Sequence, residues 1–293
     1  MKHYSALNWL IPLIILIAAL TASVGLFSQG GDGPFMFTTL HGQTVQIYGK
    51  GLYRFDTVLS AATFKGVDVI TLGLSIPLLM VAFILYRRNS LRGGLLLIGA
   101  IPYFLYIGAS MTFSAAFNRI FLLYAALLSV SLFAFIVALT TIDLAALSKH
   151  ILRRLPQRGI AIFMFVAGIG TFLLWLSELI GPMLTGATPA NLGPYTTMYT
   201  HGFDSAVITP ATVLTGIFLL QRKPLGYLFA APLLVFCTQN GFTVMAATIS
   251  QALEGIAFPI GVYIGMVGSW VLMGAFAIGL TIQYFRNISE VAQ

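Results

Sequence analysis

The stretch "KGVDVITLGLSIPLLMVAFILYRR", residues 65–88, decides the fold. Between Lys65 and the Arg87–Arg88 pair lie twenty-one residues, of which only Asp68 is charged. A helix of about 20 apolar residues is long enough to cross a hydrocarbon core about 30 Å thick. The stretch therefore predicts a transmembrane helix with a carboxylate near one end.

Apolar runs of this kind fill most of the chain. Its 293 residues are 58% hydrophobic and 8% charged, with a mean hydropathy of +0.94. This composition excludes an ordinary soluble domain and predicts an all-α membrane protein with eight transmembrane helices. The predicted spans are 9–28, 67–86, 93–113, 119–141, 160–181, 204–221, 225–249 and 259–285.

The basic residues predict the orientation of these spans. Eleven Lys and Arg fall on the side of both termini, and four fall on the opposite side. Because Lys and Arg concentrate in cytoplasmic loops, both termini are expected inside, in a bacterial plasma (inner) membrane. The net charge of +7 comes from short clusters between apolar runs. It therefore indicates topology and contact with membrane lipids, and no nucleic-acid partner is expected.

The first outer segment, 29–66, is the longest polar stretch. Its sequence "FMFTTLHGQTVQIYG", 35–49, predicts two short strands around a turn at His41 and Gly42, because apolar and polar residues alternate after the turn. A helical spacing of apolar residues follows, which predicts a short interfacial helix. The apolar residues at this spacing are Leu52, Phe55, Leu59 and Ala62. Together the hairpin and this helix are expected to form a lid.

A second stretch, "HGFDSAVITP" at 201–210, resembles the beginning of the first. Asp68 and Asp204 lie 136 positions apart, and Arg87 and Arg222 lie 135 apart. A near-constant offset predicts a duplicated unit of four helices, whose two copies run in the same direction and are related by an axis along the membrane normal. The alternative is a chance resemblance between two apolar hairpins.

The duplication predicts two halves, 1–142, which includes the lid 29–66, and 160–293, joined by a cytoplasmic linker, 143–159. The linker carries an apolar stripe that ends at Pro156 and is expected to lie against the membrane. Its members are Leu144, Leu147, Ile151 and Leu155.

Polar residues in the outer parts of the spans form the predicted ligand-binding set, because an ionisable group at a helix centre costs about 2.5 to 3.5 kcal/mol on insertion. The set is Asp68, Thr71, Tyr103, Tyr106, Arg119, Glu178, His201, Asp204, Gln239 and Asn240. The two aspartates are expected on opposite sides of one outward-facing pocket between the halves. Another interpretation is that each aspartate caps its own helix.

Arg119 also has two interpretations. It can extend to the outer headgroups, or it can neutralise Asp68 or Glu178, since a buried charge is tolerated mainly when it is paired.

Three functions remain open. The leading hypothesis is a non-enzymatic binder or transporter of a small solute or lipid. The second is an intramembrane enzyme that acts on a lipid or prenyl substrate at the outer leaflet, with four residues as acid, base or metal ligands. Those four are His201, Asp204, Asp68 and Glu178. The third is a non-catalytic subunit that assembles with another membrane protein.

Several chemistries are excluded because the required residues are missing from the sequence. It has no histidine pair within the spans for haem, no H-E-x-x-H or G-x-S-x-G motif and no phosphate loop. A single cysteine, Cys237, allows no intramolecular disulfide. We therefore expect no cofactor and no metal, and we assign no catalytic residue.

Overall fold

The computed structural model describes residues 4–290. Within that range, eight helices are long and apolar enough to cross a membrane, which confirms the predicted number and identifies a polytopic membrane protein. They are α1 (Leu7–Phe27), α2 (Val58–Arg87), α3 (Leu91–Phe113), α4 (Phe121–Leu139), α5 (Gln157–Thr185), α6 (Tyr199–Leu220), α7 (Pro224–Leu253) and α8 (Ile260–Arg286).

Helix α2 begins nine residues earlier than the predicted span. The chain from Val58 to Arg87 is one helix of 30 residues, so the separate interfacial helix was wrong. Thr57 caps this helix, because its side chain accepts a hydrogen bond from the Ser60 N–H at 3.1 Å. Nothing interrupts the helix between Val58 and the predicted start of the span, whereas residues 51–56 form turns and bends.

The predicted hairpin is confirmed. Strands β1 (Phe35–Thr38) and β2 (Thr44–Ile47) pair antiparallel, with Phe37 opposite Val45. Gly42 in the turn has a φ of +78°, a conformation that glycine adopts without steric cost. The turn also contacts the loop between α5 and α6, because the Gln43 side chain donates a hydrogen bond to the Pro189 carbonyl at 3.1 Å.

Three of the eight helices contain a five-residue π-helical segment. These segments are Thr71–Ser75 in α2, Asp204–Ile208 in α6 and Tyr263–Val267 in α8. A π turn inserts one residue and changes the directions of the neighbouring side chains, and such turns are common at functional sites. In α6 the π segment begins at Asp204, and in α2 it begins three residues after Asp68. Both aspartates belong to the predicted site.

Helices α3 and α7 occupy the centre of the molecule. They pack against each other, and α2 also packs against α7. Gly66 of α2 allows the closest approach, since a Cβ added there would lie 2.4 Å from the Cα of Ala247. Helix α8 packs along α7 through Gly241 and Gly274 and has few contacts with α5.

The linker is less regular than its apolar stripe predicts. It forms a short helix, Leu144–Leu147, and a 3₁₀ turn, Ser148–His150. Ile151 then makes an antiparallel bridge with Ile288 near the C-terminus. The stripe is therefore divided between two short elements and a bridge. Pro156 directly precedes α5, as expected for a residue that ends one element and begins the next.

Candidate binding site at Asp204

Asp204 is the first residue of the π segment in α6 and is 4% exposed. The indole N–H of Trp175 in α5 donates a hydrogen bond to its Oδ2 at 3.0 Å. The hydroxyl of Tyr106 in α3 donates to its Oδ1 at 3.1 Å. Both carboxylate oxygens are therefore held by neighbouring helices, so Asp204 does not act as a cap of α6.

The Asp204 carboxylate lines a narrow crevice between α5, α6, α7 and α8, with a free space of about 10 Å³. Among the described residues that line it, Asp204 is the only charged one. The neutral polar members are Thr171, Thr212 and Asn240, and the other members are Ala167, Ile208, Phe236, Cys237, Trp270 and Met273. Because α8 has few contacts with α5, the crevice lies under a weakly packed boundary between these two helices.

Aromatic rings surround the carboxylate. The rings of Trp175 and Trp270 lie 6.2 Å apart across the boundary between α5 and α8. Tyr106 packs edge-on against Phe203 at 5.5 Å and against Phe236 at 5.1 Å. A carboxylate among aromatic faces attracts a cation through its charge and through the ring quadrupoles.

His201 and Glu178 lie behind Trp175. The His201 ring packs against the Trp175 indole at a tilt of 39° with centroids 4.1 Å apart, and its Nε2 lies 3.1 Å from Glu178 Oε2. This contact fixes the indole whose N–H donates to Asp204. Glu178 and His201 therefore support the site through Trp175, and neither of them lines the crevice.

Asp68 belongs to a different cluster. The Tyr53 hydroxyl donates to its Oδ2 at 2.7 Å, and a Cβ added to Gly25 of α1 would lie 2.0 Å from that oxygen. Asp68 therefore faces α1, whereas Asp204 faces α5 and α3. Helix α3 contacts both regions, because Tyr103 lies 3.1 Å from Thr71 of α2 and Tyr106 holds Asp204 of α6. The two aspartates do not share the pocket that the sequence predicted.

The remaining predicted residues lie in different places. Asn240 lines the crevice, whereas Gln239 is fully buried. Arg119 is exposed, and the ion pairs within residues 4–290 are Lys65–Glu254 and His201–Glu178. Arg119 therefore neutralises neither Asp68 nor Glu178.

Sequence reasoning missed both tryptophans of the site. Tryptophan is enriched at membrane interfaces, where its ring lies at headgroup level. Trp175 and Trp270 each lie ten residues inside the nearer end of their helices. That depth was a signal in the sequence that could have found them. Nothing in the sequence pointed to Tyr53, which lies in a polar segment.

Comparison of the chain with protein-family models, with curated proteins and with solved structures gives no match. Within residues 4–290, no group of three or more His, Cys, Asp or Glu side chains is placed to hold a metal ion.

Proposed function

We propose that the protein is a membrane carrier for a small organic cation and that the crevice at Asp204 is its binding site. One observation carries this proposal: a single carboxylate faces a narrow space whose walls are otherwise aromatic, aliphatic or neutral and polar.

The charge balance favours a cationic ligand. The donors that hold Asp204 are a neutral indole and a neutral phenol, and no basic side chain within residues 4–290 forms an ion pair with it. An unpaired carboxylate in a membrane interior is costly. A cation in the crevice would offset this cost and would gain about 0.5 to 2 kcal/mol from a well-placed aromatic ring.

The size of the crevice limits the ligand. The free space of about 10 Å³ holds about one water molecule, so a small quaternary ammonium group with a short polar arm would enter only when α8 moves away from α5 at their weakly packed boundary. Thr171, Thr212 and Asn240 would bind the polar arm. Only the headgroup of a lipid could enter this space.

Spectroscopy can test the proposal, because the chain has three tryptophans and two of them lie at the site. Trp9 is 80% exposed, and Trp9→Phe leaves only Trp175 and Trp270 as reporters. In this background, choline is expected to change the tryptophan fluorescence saturably. Its neutral isostere 3,3-dimethylbutanol is expected to produce no saturable change.

The matched pair Asp204→Asn and Asp68→Asn locates the site. Both variants replace a buried aspartate with its isosteric amide. Asp204→Asn should weaken choline binding at least about tenfold, which is about 1.4 kcal/mol. Asp68→Asn should leave the Kd unchanged. Equal binding of choline and the neutral alcohol, or full choline affinity in Asp204→Asn, would contradict the proposal.

We propose further that the chain consists of two like-oriented halves. The π segments begin at Thr71 and Asp204, 133 positions apart. The helices that follow end with residues of positive φ, Asn89 and Arg222, which are also 133 apart. This register supports duplication but pairs Asp204 with Thr71, so the two aspartates are not equivalent positions. The Asp204 site therefore has no acidic counterpart in the first half.

Both termini are proposed to be cytoplasmic, as the distribution of basic residues predicts. In a Cys237→Ser background, His41→Cys should react with an impermeant maleimide on intact cells. Arg153→Cys should react only after the membrane is permeabilised. The reverse pattern would overturn this orientation.

The enzyme hypothesis required four acidic and histidine side chains to converge, and Asp68 lies in a different cluster from the other three. We therefore do not propose it. A membrane-protein partner stays a prediction.

A further inference from the structure

We infer a second binding site, for a sodium ion, among α2, α3 and α7. Its oxygen ligands come from Thr71, Ser75, Tyr103, Gln239 and Thr243. The site lies outside the Asp204 crevice and does not depend on the proposed organic cation.

Two buried side chains at this place have unused polar atoms. Ser75 and Gln239 are both 0% exposed. Within residues 4–290, the Ser75 hydroxyl and both atoms of the Gln239 amide have no hydrogen-bond partner. A buried polar group without a partner costs about 1 to 3 kcal/mol, so a cation that contacts the Ser75 hydroxyl oxygen and the Gln239 amide oxygen would stabilise the fold. The Gln239 amide nitrogen is a donor and is not a ligand.

Tyr103 of α3 lies between the helices that carry these two residues, with its hydroxyl 3.1 Å from that of Thr71 in α2 and close to Ser75 of α2 and Thr243 of α7. Gln251 of α7 donates a hydrogen bond to Thr63 of α2 at 2.8 Å. About one turn further along, Gly66 of α2 packs against Ala247 of α7. Gln239 lies one turn before Thr243 on the same face of α7, so the Tyr103 hydroxyl connects the regions of Ser75 and Gln239. Each of the two lies near the middle of its 30-residue helix.

The surrounding hydroxyl groups present oxygen lone pairs to the space between the helices. Thr71 donates its hydroxyl proton to the Val67 carbonyl at 2.9 Å, and Tyr103 donates to the same carbonyl at 3.3 Å. Thr243 donates to the backbone carbonyl of Gln239 at 3.0 Å. Each proton is directed at a backbone carbonyl, so the remaining lone pairs are free to accept. Such a set of acceptors suits a cation.

The charge nearby favours a monovalent ion. Asp68 lies one turn before Thr71 on the same side of α2 and is the nearest acidic residue along that helix. The five ligands are neutral oxygens, and the nearby Asp68 carboxylate faces α1, so the site suits a single positive charge, whereas a divalent ion commonly has carboxylate ligands. The π segment Thr71–Ser75 interrupts α2 at this level. Interrupted helices near the bilayer midplane form the coupling-ion sites of many transporters.

Thermal unfolding without any organic cation tests this inference. Purified protein in NaCl should melt at least about 3 °C higher than in KCl of equal ionic strength. Bound ²²Na⁺ should be displaced by NaCl and not by KCl. Equal melting temperatures in the two salts, or equal displacement by both, would overturn the inference. Such a result would indicate that water occupies the space between the helices. Because choline is absent, either outcome leaves the proposal for Asp204 untouched.

Two threonines of α7 provide a matched pair of variants. Thr243 and Thr248 each donate a hydrogen bond to the carbonyl four residues earlier, but only Thr243 belongs to the proposed site. Thr243→Val should weaken ²²Na⁺ binding at least about tenfold, whereas Thr248→Val should bind as the wild type does. Equal binding by both variants would overturn the assignment.

Gln239→Leu provides a second test if Thr243→Val folds poorly. It removes the unpartnered amide, so the variant should melt at or above the wild-type temperature in KCl. It should also lose the additional stabilisation by NaCl. A full sodium effect in Gln239→Leu would contradict the inference.

Discussion

Asp56 joins three segments that connect the helices at a single carboxyl group. It is 1% exposed, and its Oδ1 accepts hydrogen bonds from the Ala116 N–H at 2.8 Å and from the Tyr195 hydroxyl at 3.0 Å. Burial raises the pKa of Asp56 to about 7, although both hydrogen bonds act to lower it. Burial also raises the pKa of Tyr195 above its ordinary value of 10, so Asp56 is the member of this pair that titrates near neutrality.

The docking of these segments should therefore depend on pH. Because the folded-state pKa of Asp56 lies above its ordinary value of 3.8, the contact is most stable at low pH and weakens as the pH rises through about 7. Between pH 6 and pH 8, after correction for intrinsic rates, hydrogen exchange around Ala116 should accelerate roughly tenfold. Asp56→Asn should remove this dependence. Unchanged pH dependence in that variant would disprove the role of Asp56.

At the level of single residues, the sequence identifies the charged residues but not their hydrogen-bond partners. Asp68 and Asp204 are found because each is charged within an apolar run. Their donors, Tyr53 and Trp175, come from other segments and depend on packing that periodicity does not encode. Asp56 lies in a polar segment, where an acidic residue gives no signal.

The contact between α2 and α7 is set by one small residue. A Cβ added to Gly66 would lie 2.4 Å from the Cα of Ala247, whereas a Cβ added to Gly73 of the same helix would meet nothing within 4 Å. Gly66→Ala should therefore lower the free energy of unfolding by about 1 to 3 kcal/mol, because backbone has to move. Gly73→Ala should be neutral or stabilising by up to about 1 kcal/mol.

Reversible unfolding in mixed micelles measures both changes. Equal effects of the two substitutions would show that the close approach of α2 and α7 does not limit stability. Since the proposed sodium site lies between the same two helices, Gly66→Ala should also reduce the stabilisation by NaCl.

Hydropathy predicts the helices better than it predicts their internal geometry. The predicted ends of seven helices lie within five residues of those in the structure. The start of α2 was missed because the polar residues between Val58 and Lys65 resemble those of a surface helix. The π segments have no signature in an apolar pattern. Matching the aspartates by residue type therefore gave an offset of 136, whereas the backbone elements recur at 133.

At the scale of the whole molecule, the central position of α3 and α7 determines what the polar groups can do. Helix α3 contacts the Asp68 region through Tyr103 and the Asp204 region through Tyr106, one turn apart. The proposed cation sites are therefore separate but connected through one rigid helix. Sequence alone does not predict this separation, because hydropathy does not determine which helices are neighbours.

Charge movement across a reconstituted membrane tests the proposed transport activity most directly. Proteoliposomes adsorbed to a solid-supported membrane should give a transient current when choline is added, because each bound choline carries one positive charge into the protein. The current should be absent with 3,3-dimethylbutanol, in Asp204→Asn and in empty liposomes, and present in Asp68→Asn. A choline current of equal size in Asp204→Asn, or none in the wild-type protein, would contradict the account.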